Sequence, residues 1–267
     1  MELFDLPGLL SRGTPAVLVT VASVEGSGPR ERGAWMAVTA TNVCGTVGGG
    51  QLEHELMAEG RRLLELAQPF DAHERRYALG PSLGQCCGGV VHMRLELLDA
   101  GDAEGLVERL SAPPLLDLAL FGGGHVGRAI VDLVTRLPVR TQWFDSRDEI
   151  FPIPLPPHVQ AEHSNPVHAA VADVRPSAKV LIMSFSHAED LDIVAACLTR
   201  QREHGDLPFI GLIGSKSKWA SFRHRLEARG FTEVEMAHVT CPIGIPRIHG
   251  KQPEVIALAA VAQLLQR

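Results

Sequence analysis

The sequence predicts an α/β protein: an N-terminal α+β domain followed by a Rossmann-like, doubly wound parallel sheet. Three observations predict it. Beyond residue 114, apolar runs of strand length alternate with helical stretches, the order that builds a parallel sheet covered by helices. A Gly-x-Gly-x-x-Gly pattern, Gly122-Gly-Gly124-His-Val-Gly127, ends the first of those strands and opens the first of those helices. Before residue 105 the β-branched runs are instead separated by glycine-rich loops around a single long helical stretch.

The elements follow in order. Ala16 to Ser23 (AVLVTVAS) is a β-branched run and reads as a strand, followed by the loop Glu25 to Gly33 and a second strand, Trp35 to Thr39. The glycine run Val43 to Gly50 leads into Gln51 to Leu66, where Leu52, Leu56, Leu63 and Leu66 recur at helical spacing. His73 to Leu79 and Val90 to Leu98 read as paired strands, joined by Gly80-Pro-Ser-Leu-Gly-Gln-Cys-Cys-Gly-Gly89. The small and acidic stretch Asp99 to Pro114, with a short helical pattern, marks the boundary between domains at 1–105 and 114–267. In the second domain, strands are expected at 115–121, 139–145, 179–186 and 209–213. Helices are expected near 125–137, 189–203, 215–229 and 253–266, the last opened by Pro253-Glu254. Phe151 to His158 reads as a proline-rich loop.

Composition narrows the function classes. The chain has 267 residues, 45% hydrophobic and 21% charged, with a formal net charge of −6 and no basic cluster. These values argue against nucleic acid as a partner, so an anionic ligand would be held by local amides and a few arginines. The N-terminal residues lack a basic and apolar leader pattern, and no apolar run approaches the ~18 residues of a membrane helix. A cytoplasmic protein with no membrane partner is expected. The five cysteines are then expected to be reduced thiols.

Four clusters carry candidate chemistry, each with a plain alternative. Gly122, Gly124 and Gly127 let the backbone turn sharply and approach a phosphate at a helix N-terminus. Asp145, at the end of the next strand, stands where a carboxylate bonds a ribose 2′-hydroxyl, and Arg147 leaves room for a 2′-phosphate. The alternative is a turn of the same shape that binds no NAD(P). Adjacent Cys86 and Cys87 are poorly spaced for structural zinc, which leaves a reactive thiolate, a soft ligand for a sulfur-bearing metal centre, or two small buried hydrophobes. Arg30 and Arg32 could grip an anion together with amides from Gly48, Gly49 and Gly50, or simply be solvated. Gly214-Ser215 is a further anion candidate beside Lys216 and Lys218, which read equally well as surface charges. His187, Glu189, Asp190 and Asp192 suggest either a metal site or, more economically, an acidic helix start capped by Ser186.

Taken together, several blocks resemble the XdhC branch of the XdhC/CoxI family. They are Gly26-Ser-Gly-Pro-Arg30 with Gly33-Ala34, Gly45-Thr-Val-Gly-Gly-Gly50 with Leu52-Glu53, Leu79 to Gly89 with its Gln85-Cys86-Cys87 core, and Phe121 to Gly127. Gly211 to Lys218 with Phe222-Arg223, and Cys241-Pro-Ile-Gly244 with Pro253-Glu254, complete the set. The Thr-Val-Gly-Gly-Gly-x-Leu-Glu form is closer to XdhC proper than to CoxI-like members. One departure stands out: Ser186-His187-Ala188-Glu189 replaces a Thr-His-Asp-His-like segment, which removes the second histidine.

The resemblance implies a chaperone that binds molybdopterin-type molybdenum cofactor as cargo, supports its sulfuration and inserts it into apo xanthine dehydrogenase. It implies a cysteine desulfurase as a further partner, a homodimer, and no turnover of its own. On that reading a glycine-lined helix start holds the cofactor's phosphate, and Cys86 or Cys87 faces the molybdenum. Two other readings compete with it. One is an NAD(P)-dependent oxidoreductase using residues 122–127, which lacks an acid–base constellation at the glycine turn, the sole tyrosine (Tyr77) lying in the other domain. The other is an adaptor that docks the dehydrogenase and sulfurase without touching cofactor.

Overall fold

The computed structural model describes residues 6–66, 70–80, 88–110, 114–156 and 158–266. It separates into two compact units, Met1–Ala112 and Pro113–Arg267.

In the first unit the strands β1 (Ala16–Glu25), β2 (Trp35–Val38), β3 (Val43–Gly45), β4 (His73–Ala78) and β5 (Val90–Leu98) form one antiparallel sheet, ordered β3-β2-β1-β5-β4. Successive residues of β1 point to opposite faces, and both faces of its first half are covered. Val17, Val19 and Val21 pack with Met93 and Leu95 beneath α2 (Gly50–Glu65), which contributes Leu52, Leu56 and Leu63 at the expected spacing. Leu18 faces the other way, into a cluster with Leu6 and Leu10 of α1 (Leu6–Ser11) and Leu106 of α3 (Leu106–Leu110). Full burial of a leucine such as Leu56 contributes about 1.5–3 kcal/mol relative to exposure. That is the force holding α2, and with it the glycine run at its start, against the sheet.

The second unit carries β6 (Leu116–Phe121), β7 (Val139–Asp145), β8 (Val159–His163), β9 (Lys179–Ile182), β10 (Phe209–Leu212) and β11 (Val239–Thr240). All are parallel, in the order β11-β10-β9-β6-β7-β8. Leu118, Leu120 and Trp143 face one core with residues of α4 (His125–Val134) and α8 (Pro253–Leu265). Ala119, Phe121, Ile182 and Leu212 face another, with α5 (His187–His204) and α6 (Lys216–Ala228). A short helix, α7 (Glu233–Met236), precedes β11.

The antiparallel sheet and the doubly wound sheet match the expected fold class, with three differences. The third expected run, 179–186, pairs only as far as Ile182, because Ser184 turns away to donate to Asp190 Oδ1 from both its amide (2.8 Å) and its hydroxyl (2.7 Å). β8 is an edge strand with a single buried residue, so its sequence shows no apolar alternation. β3 and β11 are too short to carry a pattern. Strand order reverses between β6 and β9, and in open α/β sheets this is where the carboxyl edge opens a crevice.

Candidate functional sites, one in each unit

In the first unit, three of the blocks read from the sequence converge at one end of the sheet. Glu25, the last residue of β1, pairs with Val90, the first of β5, and Ala78, the last of β4, pairs with the same Val90. The Gly26–Arg30 loop and the described end of the cysteine loop therefore leave the sheet side by side. Gly89 lies so close to them that a Cβ there would stand 2.4 Å from Ser27 O, and Leu79 N donates to Gly89 O at 2.8 Å. The 47–49 turn meets the same loop: Gly48, at φ +125°, would bring a Cβ within 2.4 Å of Pro29 Cβ. Arg30 extends Nη1 toward Thr46 O at 3.5 Å while pairing with exposed Glu31. Arg32 is exposed. Gln85, Cys86 and Cys87 lie outside the described residues.

The amides of this turn have a partner within the chain. Glu53 Oε2 accepts from Val47 N (2.9 Å), Gly49 N (3.1 Å) and Thr46 Oγ1 (2.5 Å), and Gly48 N donates to Thr46 Oγ1 (3.1 Å). Burial would raise the Glu53 pKa, but these donors outweigh it and hold the carboxyl below the usual range. Of the expected cradle of Gly48, Gly49 and Gly50 amides, Gly49 N is thus taken by an internal anion four residues beyond it, and Gly48 N by Thr46 Oγ1. Leu52-Glu53 belongs to the glycine block of the sequence; a carboxylate in the first turn of a helix, facing preceding amides, is the signal that assigns it this work.

In the second unit the glycine turn has the expected strand–turn–helix setting. Gly122, at φ +124°, passes 2.0 Å (as a would-be Cβ) from Met183 O, and Gly127 equally close to Gly122 O, so both positions exclude any side chain. Gly124 caps α4 in open space. Asp145, 2% exposed, is not presented to a ligand. Its two oxygens accept from Gly123 N (2.6 Å), Arg147 N (2.9 Å), Arg147 Nε (2.8 Å) and Arg147 Nη2 (2.9 Å). Burial works to raise its pKa; Arg147 and the two amides prevail and keep it low. The Arg147 guanidinium lies 4.7 Å from the centroid of the Phe185 ring.

The residues at the ends of β9 and β10 take the plainer of their expected roles, with one exception. Ser186 Oγ accepts from Glu189 N (3.2 Å) as the cap of α5, and Ser215 Oγ from Lys218 N (3.1 Å) as the cap of α6. Glu189 accepts from Ser146 Oγ (2.7 Å), and Asp192 pairs with Arg229. Among the described residues no three or more of His, Cys, Asp and Glu are placed to hold a metal ion. The exception is Lys218, which is not a surface charge: its Nζ donates to Asp190 Oδ2 (2.6 Å) and Ile213 O (2.9 Å), and both side chains of the pair are nearly buried. Cys197 is fully buried in α5, where desolvation pushes its thiol up to about 12; burial also raises Cys241. Cys44 is half-buried in β3. No helix among the described residues is long and apolar enough to cross a membrane.

Comparison with known proteins agrees with this arrangement. The chain is 26% identical over 262 residues to the uncharacterized protein YqeB of Escherichia coli (strain K12), covering 97% of this chain and 44% of that one. It thus spans less than half the length of that curated relative. A crystal structure described as a xanthine dehydrogenase from Bacillus halodurans superposes with a TM-score of 0.74 at 22% identity, covering 100% of this chain and 95% of the other. At that identity the likeness establishes the fold. Residues 9–77 match the XdhC and CoxI family, and residues 118–264 match the XdhC Rossmann domain. With more than half of its length in that second match, and the glycine turn, parallel sheet and antiparallel N-terminal sheet in place, the chain belongs to the XdhC family.

Proposed function

We propose that the chain acts in xanthine dehydrogenase maturation as a carrier of molybdopterin-type molybdenum cofactor, supporting its sulfuration and handing it to the apo-dehydrogenase. The observation that carries the reading is the convergence, at one end of the first unit's sheet, of Arg30, the 47–49 turn and the Gly88–Gly89 base of the loop bearing Gln85, Cys86 and Cys87. The cargo has a phosphate monoester, a polar pterin and a metal with oxo and sulfido ligands. Guanidinium recognises the first, and a thiolate is a soft donor suited to the last.

The internal bonds of Glu53 alter how the phosphate would be held. With Val47 N and Gly49 N committed to a carboxylate, the phosphate contact falls to Arg30 and to the start of α2 at Gly50. Arg30 is available for this. Its present partner, Glu31, is an exposed neighbour, and a solvent-screened surface ion pair of that kind is weak beside what a dianionic phosphate would offer. Cys86 or Cys87 would face the molybdenum and shield its sulfido ligand from water. A cysteine desulfurase as sulfur donor, and a homodimer as the working form, belong to the same proposal.

The test is anaerobic co-purification with cofactor, measuring molybdenum and pterin per chain for wild type and for the Cys86→Ala/Cys87→Ala variant. Near-stoichiometric cofactor in the wild type, lost in the variant, is the expected result. A variant that retains cofactor and still activates the dehydrogenase removes the cysteines from the mechanism. A wild type that stays empty with intact cofactor present removes the carrier role and leaves an adaptor.

A further inference from the structure

The fold of the second unit implies a nicotinamide dinucleotide, and its residues can be tested against one. A dinucleotide on a glycine turn of this kind needs a carboxylate free to receive the ribose diol, and clear space over the turn for the adenosine ribose. Neither is offered. The two Asp145 oxygens already accept four N–H groups, one of them the Gly123 amide. Directly over Gly123 lies Ile150, whose Cγ1 and Cγ2 would stand 2.7 and 2.9 Å from a Cβ built there. Ile150 is held down: Arg128 of α4 donates Nη2 to its carbonyl at 2.7 Å, and Phe151 beyond it packs edge-on against buried Trp143 at 5.1 Å.

Nor is the place suited to a 2′-phosphate. Arg147 spends Nε and Nη2 on Asp145. Glu189 approaches from α5 as a second carboxylate near that guanidinium, bonded to Ser146 Oγ and, at 3.2 Å, to Phe185 N. Residues 145–150 also carry Asp148 and Glu149, so that segment sets three carboxylates against one guanidinium. A phosphate would have to displace one carboxylate from Arg147 while lying among the others.

We infer that the Gly122–Gly127 turn is a structural joint whose adenosine subsite the chain fills with its own Arg147 and Ile150, so that neither NAD nor NADP binds there. Gly122 and Gly127 are required by the approach of Met183 O and Gly122 O, not by a ligand. This separates the domain's fold from the ligand usually associated with it. The inference concerns only the second unit and does not depend on cofactor binding by the first.

The experiment titrates the full-length protein with NADH and with NADPH to 1 mM, following nucleotide fluorescence and melting temperature, and repeats both with Gly124→Asp. Gly124 sits in open space at φ −69°, so the variant folds, and it sets a carboxylate where a pyrophosphate would lie. No saturable binding by wild type is expected, or binding that Gly124→Asp leaves unchanged, which places the nucleotide elsewhere. Saturable wild-type binding of either nucleotide, weakened tenfold or more by Gly124→Asp, overturns the inference. In a second arm, Arg147→Ala/Ile150→Ala empties the subsite while keeping Asp145, and NADH affinity should rise at least tenfold. A folded double variant with no gain overturns the assignment of these two side chains. Molybdenum content measured on the same samples reports separately on the carrier role.

Discussion

Replacing Gly127 by alanine tests directly whether the glycine turn is a packing device. The added Cβ would stand 2.0 Å from Gly122 O, so at least 1 Å of movement is needed to reach even the tightest ordinary contact of 3.0 Å. Gly122 O cannot move freely, because it accepts the buried indole Nε1–H of Trp143 at 2.9 Å, and Gly122 itself is wedged against Met183 O. Overpacking costs about 1–3 kcal/mol, and a buried donor left without its acceptor about 1–3 kcal/mol more. The sum centres near 4 kcal/mol, which for a unit of this size corresponds to roughly 8–16 °C in Tm. Thermal unfolding followed by Trp fluorescence and far-UV circular dichroism measures it, with Gly124→Ala as the paired control. Gly124 has nothing within 4 Å of its Cβ position, and its variant should melt within about 2 °C of wild type by the same scaling. Equal Tm values for wild type and Gly127→Ala would refute the reasoning, as would a Gly124→Ala variant destabilised as much as Gly127→Ala.

Two further substitutions probe the internal carboxylates. Glu53→Gln should cost about 1–2 kcal/mol at pH 7, the range for charge-assisted hydrogen bonds discounted for partial exposure. Because the folded-state pKa of Glu53 lies below its ordinary 4.5, this stabilisation is fully present above pH 4.5 and is lost as pH falls through the folded value. Denaturation curves from pH 7 to 3.5 should show the gap between wild type and variant closing at the acid end; a constant gap refutes it. Lys218→Met leaves Asp190 buried without its cation and should cost about 3–5 kcal/mol, part of which Lys218→Met/Asp190→Asn restores. Additive losses in the double variant would show that the pair is not coupled.

Much of the fold was legible because its signals are local. The buried strands β1, β5, β6 and β7 and the helices α2, α4 and α8 follow from runs and spacings within a dozen residues. What stayed hidden depends on partners distant in sequence. β8 is polar because it is an edge, and β9 ends at Ile182 because Ser184 is drawn to Asp190. Lys218 reads as a surface lysine until Asp190, 28 residues earlier, is brought beneath it. In the first candidate site, Arg30 Nη1 lies 3.5 Å from Thr46 O beside the Gly48 turn, whereas Arg32, two residues on, is exposed, a difference that spacing alone does not show.

What a glycine motif leaves undetermined is who occupies the amides it exposes. Both turns in this chain precede a helix, and both read as anion sites; in each, the first anion to arrive is a carboxylate of the chain itself. Glu53 fills the turn before α2 from within that helix, and Asp145 reaches the turn before α4 from the end of β7. The physics is the same as for a phosphate: clustered N–H donors and a helix dipole favour negative charge, and an intramolecular carboxylate pays no entropy of association. A ligand at either turn must therefore outcompete an anion already in place. At the first turn Arg30 stands close by, with Nη1 3.5 Å from Thr46 O, and under the proposed carrier role it supplies the additional contact for doing so. At the second, Arg147 and Ile150 reinforce the internal occupant, so the two turns, alike as sequence, are expected to differ in whether they bind anything from outside.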